Sequence, residues 1–189
     1  VRNQPINLTS QFPRQVSETG IVTNTSQMSP APGVIPYIVT APCWEGDATS
    51  EYLLAIPGGD PIQIAQRQRA WKYPEGTVFS KTLSLGDRRV ETQLLHFDGI
   101  NWQPYSYVWN DGQTDARLVD AQGTEKQIRY QHADGSVATK QWQFQNRAQC
   151  RACHGRQNGG AVGFTLENLG QEQVSQFLAN QGMDREARR

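Results

Sequence analysis

Apolar and polar positions change their period along this chain, and the change divides it. From residue 62 the spacing is two. In residues 77–85, Val78, Ser80, Thr82 and Ser84 share one side, while Thr77, Phe79, Lys81, Leu83 and Leu85 share the other. Lys81 therefore stands among apolar neighbours, where an amine needs a partner or the neutral form, unless it guards an exposed edge. Residues 90–97, 102–109, 116–119, 127–130 and 137–144 give further strands. Gly86-Asp87, Asp98-Gly99, Asn110-Asp111-Gly112 and Asp134-Gly135 supply the turns between them. Strands recurring about every ten residues predict a mainly β, antiparallel domain with a few short helices. Two shorter strands, 37–40 and 52–56, precede it.

The two ends differ from this middle. Residues 1–36 are rich in Gln, Asn, Ser, Thr and Pro and predict an irregular N-terminal wrap. The domain proper is expected over 37–170, with a C-terminal helix and tail over 171–189. Helical spacing appears only late: 146–154, a turn or more from Leu166 capped by Thr165, and 172–179, where Val174, Phe177 and Leu178 line up. The charged residues 184–189 are expected to fray.

Cys150-Arg151-Ala152-Cys153-His154, in the first of those helices, is the stretch with the most chemical content. C-x-x-C-H is the attachment signature of haem c: the two thiols add across porphyrin vinyl groups and the imidazole ligates the iron. A disulfide or half a zinc site also uses such residues. A zinc site would call for a second pair, and the one other cysteine, Cys43, lies far upstream. The reading is therefore one covalently attached haem c with its iron on His154. Cys43, left without a partner, is expected to be a buried small hydrophobe.

Composition narrows the setting. Lys+Arg and Asp+Glu balance at 18 each, so no strong field draws the chain to nucleic acid or an anionic membrane. Mean hydropathy is −0.66 and no long apolar run predicts a membrane span. No signal sequence stands at Val1, so a mature form or excised domain is expected. Covalent haem attachment implies a periplasmic or extracellular, bacterial location.

Tyr73-Pro74-Glu75-Gly76-Thr77-Val78-Phe79-Ser80-Lys81, together with the C-terminal Cys150-Arg151-Ala152-Cys153-His154 followed by Gly163-Phe164-Thr165, resembles the β-sheet monohaem cytochromes of the cytochrome P-460 and cytochrome c′-beta group. Stretches around Pro32–Tyr37 and Tyr107–Asn110 are similar to cytochrome-like domains of bacterial secreted multidomain redox proteins. The resemblance spans about residues 20–170. It implies a haem resting on a sheet, with Lys81, Phe79 and Phe164 beside it. In P-460 enzymes the lysine matching Lys81 is joined to the porphyrin and the iron oxidises hydroxylamine. The c′-beta relatives bind nitric oxide behind an apolar wall, for which Phe79 and Phe97 are candidates. The aromatic insert 102–142 departs from the enzyme pattern.

Three functions follow. The first is one-electron transfer with a redox partner protein, which a haem c alone supports. The second is a P-460-type enzyme acting on hydroxylamine or a similar small substrate. The third is a gas-binding haem domain. Electron transfer leads because catalysis needs an acid or base, and neither Glu75, in a turn, nor Glu91, after Arg89-Val90, reads as one. Catalytic residues stay unassigned. The sixth iron ligand is open among Lys81, Met28, Met183, His96 or none, and His132 reads as an ordinary histidine. The tryptophans read mainly as packing, some of them candidates for a haem edge. Oligomeric state is open, a dimer included.

Overall fold

The computed structural model describes residues 12–40, 46–58, 60–64, 71–155, 160–179 and 183–185. Cys43 lies outside them. The fold is mainly β. Its centre is a six-stranded antiparallel sheet, in the order β3 (Val34–Tyr37), β4 (Thr49–Ala55), β6 (Val78–Leu85), β7 (Arg88–Phe97), β8 (Trp102–Trp109) and β9 (Ala116–Leu118). β10 (Thr124–Gln131) and β11 (Val137–Phe144) form a separate hairpin. β1 (Val22–Asn24) and β2 (Ser29–Pro30) form a small one near the N-terminus. β5 (Ile62–Ile64) pairs in parallel with β12 (Met183–Arg185). Among the described residues no helix is long and apolar enough to cross a membrane.

Alternation gives the central sheet two different faces. On one, Val78 of β6, Leu94 of β7, and Tyr105, Tyr107 and Trp109 of β8 meet Val16, Ile21, Val22 and Met28 from the N-terminal segment. That segment is more regular than its composition predicts, because burying those four side chains outweighs its weak local preferences. The strand expected at 37–40 instead runs over Val34–Tyr37. Its Pro36 is tolerated because β3 lies at the sheet's end, where the missing N–H breaks no central ladder.

The second face carries two apolar clusters. One, around Phe79, Leu95, Trp102 and Leu54, is covered by Phe164 and by α2 (Leu166–Ala179) through Leu169, Val174 and Phe177. α2 is two helical pieces joined at Gly170, whose φ of 72° breaks the helix between the two stretches read from sequence. The other cluster joins Leu83, Leu85 and Val90 to Ile128, Tyr130 and Phe144 of the β10–β11 hairpin. Between them runs one transverse register of Tyr37, Tyr52, Lys81, Gln93 and Ser106, polar over its last three members, while the two tyrosines pack with the first cluster. Of the tail expected to fray, Asp184 and Arg185 lie in β12, held by the ladder to Gln63 and Ile64; 186–189 lie outside the described residues.

Candidate functional site

α1 (Arg147–His154) carries the cysteines and the histidine. Asn146 caps it: its Oδ1 accepts from Gln149 N at 2.9 Å, and Gln149 Oε1 accepts from Asn146 N at 3.0 Å. The Arg147 N–H donates to Ala121 O at 3.0 Å, tying the helix start to the loop after β9. Arg147 stacks 4.6 Å above the Tyr105 ring and Arg151 donates to Gln103 Oε1, so α1 lies along β8. The i, i+4 pair Arg147 and Arg151 engages the N-terminal side of the sheet. The next such pair, Cys150 and His154, is offset round the helix, and the charges of Glu91 and Lys81 on the second face act on its thiol and imidazole respectively.

His154 is fixed by one bond. Its Nδ1 donates to the Gly160 carbonyl at 2.8 Å. A carbonyl only accepts, so Nδ1 carries the proton and Nε2 keeps its lone pair. That is the tautomer that ligation of a metal through Nε2 requires, with the orienting bond usual behind such ligands. Gly160 has φ of 73°, and a β-carbon there would overlap the Trp102 indole. Only glycine meets both demands. Burial holds the His154 imidazole below its ordinary value, opposed by the Gly160 bond and assisted by the Lys81 charge.

The two thiols differ. Cys150 is half-buried and Cys153 exposed, and both are free. Burial pushes the Cys150 thiol up, and the negative charge of Glu91 adds to this. Among the described residues no three or more His, Cys, Asp or Glu side chains gather as a metal-binding group. His154 with two thiols one turn apart suits attachment of a macrocycle that brings its own metal.

Several residues singled out from sequence meet here. Phe79 and Phe164 touch each other, with ring centroids 4.7 Å apart, and Phe79 lies 5.5 Å from Trp102. Trp102 in turn backs Gly160 and so the His154 carbonyl partner. Phe97 is 5.0 Å from Trp102. Lys81 faces the same side as Phe79 and Leu83, as the alternation predicts, with its ammonium 5.7 Å from the Tyr52 ring centroid. Met28 and His96 do not join them. Met28 is buried in the cluster on the opposite face, and His96 packs 5.7 Å from Phe12 there. Met183 lies on β12 beside Ile62. Of the sixth-ligand candidates, Lys81 is the one whose charge reaches His154.

Sequence reasoning passed over Glu91. It is 2% exposed, and its carboxylate accepts from Ser106 Oγ at 2.7 Å, Trp142 Nε1 at 2.9 Å and Gln93 Nε2 at 3.1 Å. Burial raises its pKa, opposed by those three bonds and by Lys81. A signal existed: Glu91, Gln93, Leu95 and Phe97 share the parity that faces Lys81. No protein-family model, curated protein or solved structure matches this chain.

Proposed function

We propose that this chain is a monohaem c-type cytochrome, passing one electron to or from a partner oxidoreductase in the periplasm or outside the cell. The observation that carries the reading is the set of Cys150, Cys153 and His154 on one helix, with His154 Nδ1 donating to Gly160 O and Nε2 left available. Haem iron, held there, supplies the one-electron couple. Cys150 and Cys153 tether, His154 ligates, and Gly160 orients His154. The aromatic cluster of Phe79, Trp102 and Phe164 keeps water from one side of the site.

The test is expression in a bacterium with a cytochrome c maturation system. Covalent haem is expected as one added haem mass on the denatured chain, and Cys150→Ser with Cys153→Ser abolishes it. A haem-free chain from a host that matures a control cytochrome would overturn the reading. The placement of Lys81 on the same face favours a second reading, the P-460-type enzyme. An altered porphyrin spectrum with a lysine-linked haem peptide would support it; an ordinary c-type spectrum unchanged in Lys81→Ala would remove it.

A further inference from the structure

Glu91 is a fully buried ionisable side chain to which electron transfer assigns no task. Its three donors act on its form. The Trp142 indole and the Gln93 amide nitrogen can only donate, and they occupy different carboxylate oxygens. Together with the Ser106 hydroxyl they stabilise the anion, against the burial that raises its pKa. A β-bulge between β6 and β7 lies beside it, where register shifts at Leu83 and Ser84 opposite Glu91 and Arg89. Bulges commonly re-aim a side chain next to a site.

The carboxylate is tied to the strand that α1 packs on. Ser106 of β8 donates to it, and α1 lies along the same strand, with Arg147, three residues before Cys150, over Tyr105 on the strand's opposite face. The negative charge of Glu91 also adds to the burial that raises the Cys150 thiol. A buried charge in a low-dielectric setting acts over such a range with little screening by salt.

We infer that Glu91 is a potential-setting residue, a fixed buried anion that favours the oxidised state of the haem proposed at Cys150, Cys153 and His154. This rests on the cytochrome reading. Ferric haem carries one more positive charge than ferrous haem, so a neighbouring anion stabilises the ferric form and lowers the reduction potential. Lys81 on the adjacent strand acts in the opposite sense, and the balance of the two sets the value. No proton or ligand needs to move.

Spectroelectrochemistry on the holoprotein tests this. In Glu91→Gln the ratio of reduced to oxidised protein at a fixed ambient potential is expected to rise about tenfold, which is about 59 mV for a one-electron couple. Glu91→Asp, which keeps the charge, is expected to stay near wild type. A Glu91→Gln ratio unchanged from wild type would overturn the inference. So would an equal shift in Glu91→Asp, which would mark packing rather than charge as the cause. If Glu91→Gln fails to fold, Glu91→Met supplies a neutral side chain of similar size for the same measurement.

A second readout needs no haem. In the full chain expressed without maturation, Glu91→Gln should speed alkylation of Cys150, followed by peptide mass spectrometry, several-fold at neutral pH as the thiol pKa falls. An unchanged rate counts against the inference. Absence of covalent haem in the wild type would sink the cytochrome reading; covalent haem with a potential indifferent to Glu91 would sink this inference alone.

Discussion

The two faces of the central sheet are made by the same strands and do different work. On the N-terminal side the polar atoms answer one another. Thr82 and Thr92 hydroxyls lie 2.8 Å apart, Trp109 Nε1 donates to Thr92 Oγ1 at 2.9 Å, and Tyr107 OH donates to Pro13 O at 2.9 Å. Buried and internally satisfied, this face is built for stability. On the other side a polar row runs between two apolar clusters, and the Lys81 charge acts on Glu91 and His154 while the Glu91 charge acts on Cys150. The contrast teaches that alternation within a strand assigns a side chain to a face, while what covers that face assigns its role.

Variants that break or sharpen the contrast can be ordered by size. Trp109→Ala removes a 3%-exposed indole from the satisfied face and should lower stability by about 3–5 kcal/mol, read by urea unfolding. If that face is only structural, the spectrum of any bound haem stays as in wild type. Gly160→Ala should cost about 1–3 kcal/mol, since the new methyl meets the Trp102 indole at a positive φ. Its effect should be felt at the other face, as loss of the His154 Nδ1–H signal in nitrogen NMR; retention of that signal would detach Gly160 from His154.

Thr92→Val should cost about 1–3 kcal/mol, because Trp109 Nε1 and Thr82 Oγ1 lose their common partner. A value indistinguishable from wild type would show that this face does not depend on its polar contacts.

The smallest effect is a pH dependence. Burial holds His96 below its ordinary value of 6.5, opposed by the charges of Asp98 and Glu75. A depressed folded-state pKa contributes stability present above 6.5 and lost as pH falls through the lower folded value. Urea midpoints should therefore fall on acidification below about pH 6.5, less steeply in His96→Gln. Identical slopes would remove His96 from that dependence.

Much of the sheet was legible because alternation is a local signal. The strands read at 102–109 and 137–144 coincide with β8 and β11, and α1 begins one residue after the expected start because Asn146 is its cap. Lys81, Phe79 and Leu83 share the expected face for the same reason. What was not legible depends on partners distant in sequence. Glu91, set aside as an acid or base because it follows Arg89-Val90, owes its buried site to Trp142, 51 residues later. The ordered N-terminal hairpin, and β12 against β5, follow from burial and pairing that no local window contains. Met28 and His96 looked available as ligands, and only the assembled sheet places them on the opposite side from His154.

The placement of α1 along β8 has a further consequence. β9 pairs with Tyr107, Val108 and Trp109, so among the described residues no strand lies beyond residues 102–105 of β8. The helix that bears the cysteines lies along that stretch. A chain whose α1 detaches, for example on loss of its Asn146 cap, would present a less covered, aromatic strand border of the kind that can recruit another chain by backbone pairing. The yield of dispersed protein would then be a measure of how well α1 is docked.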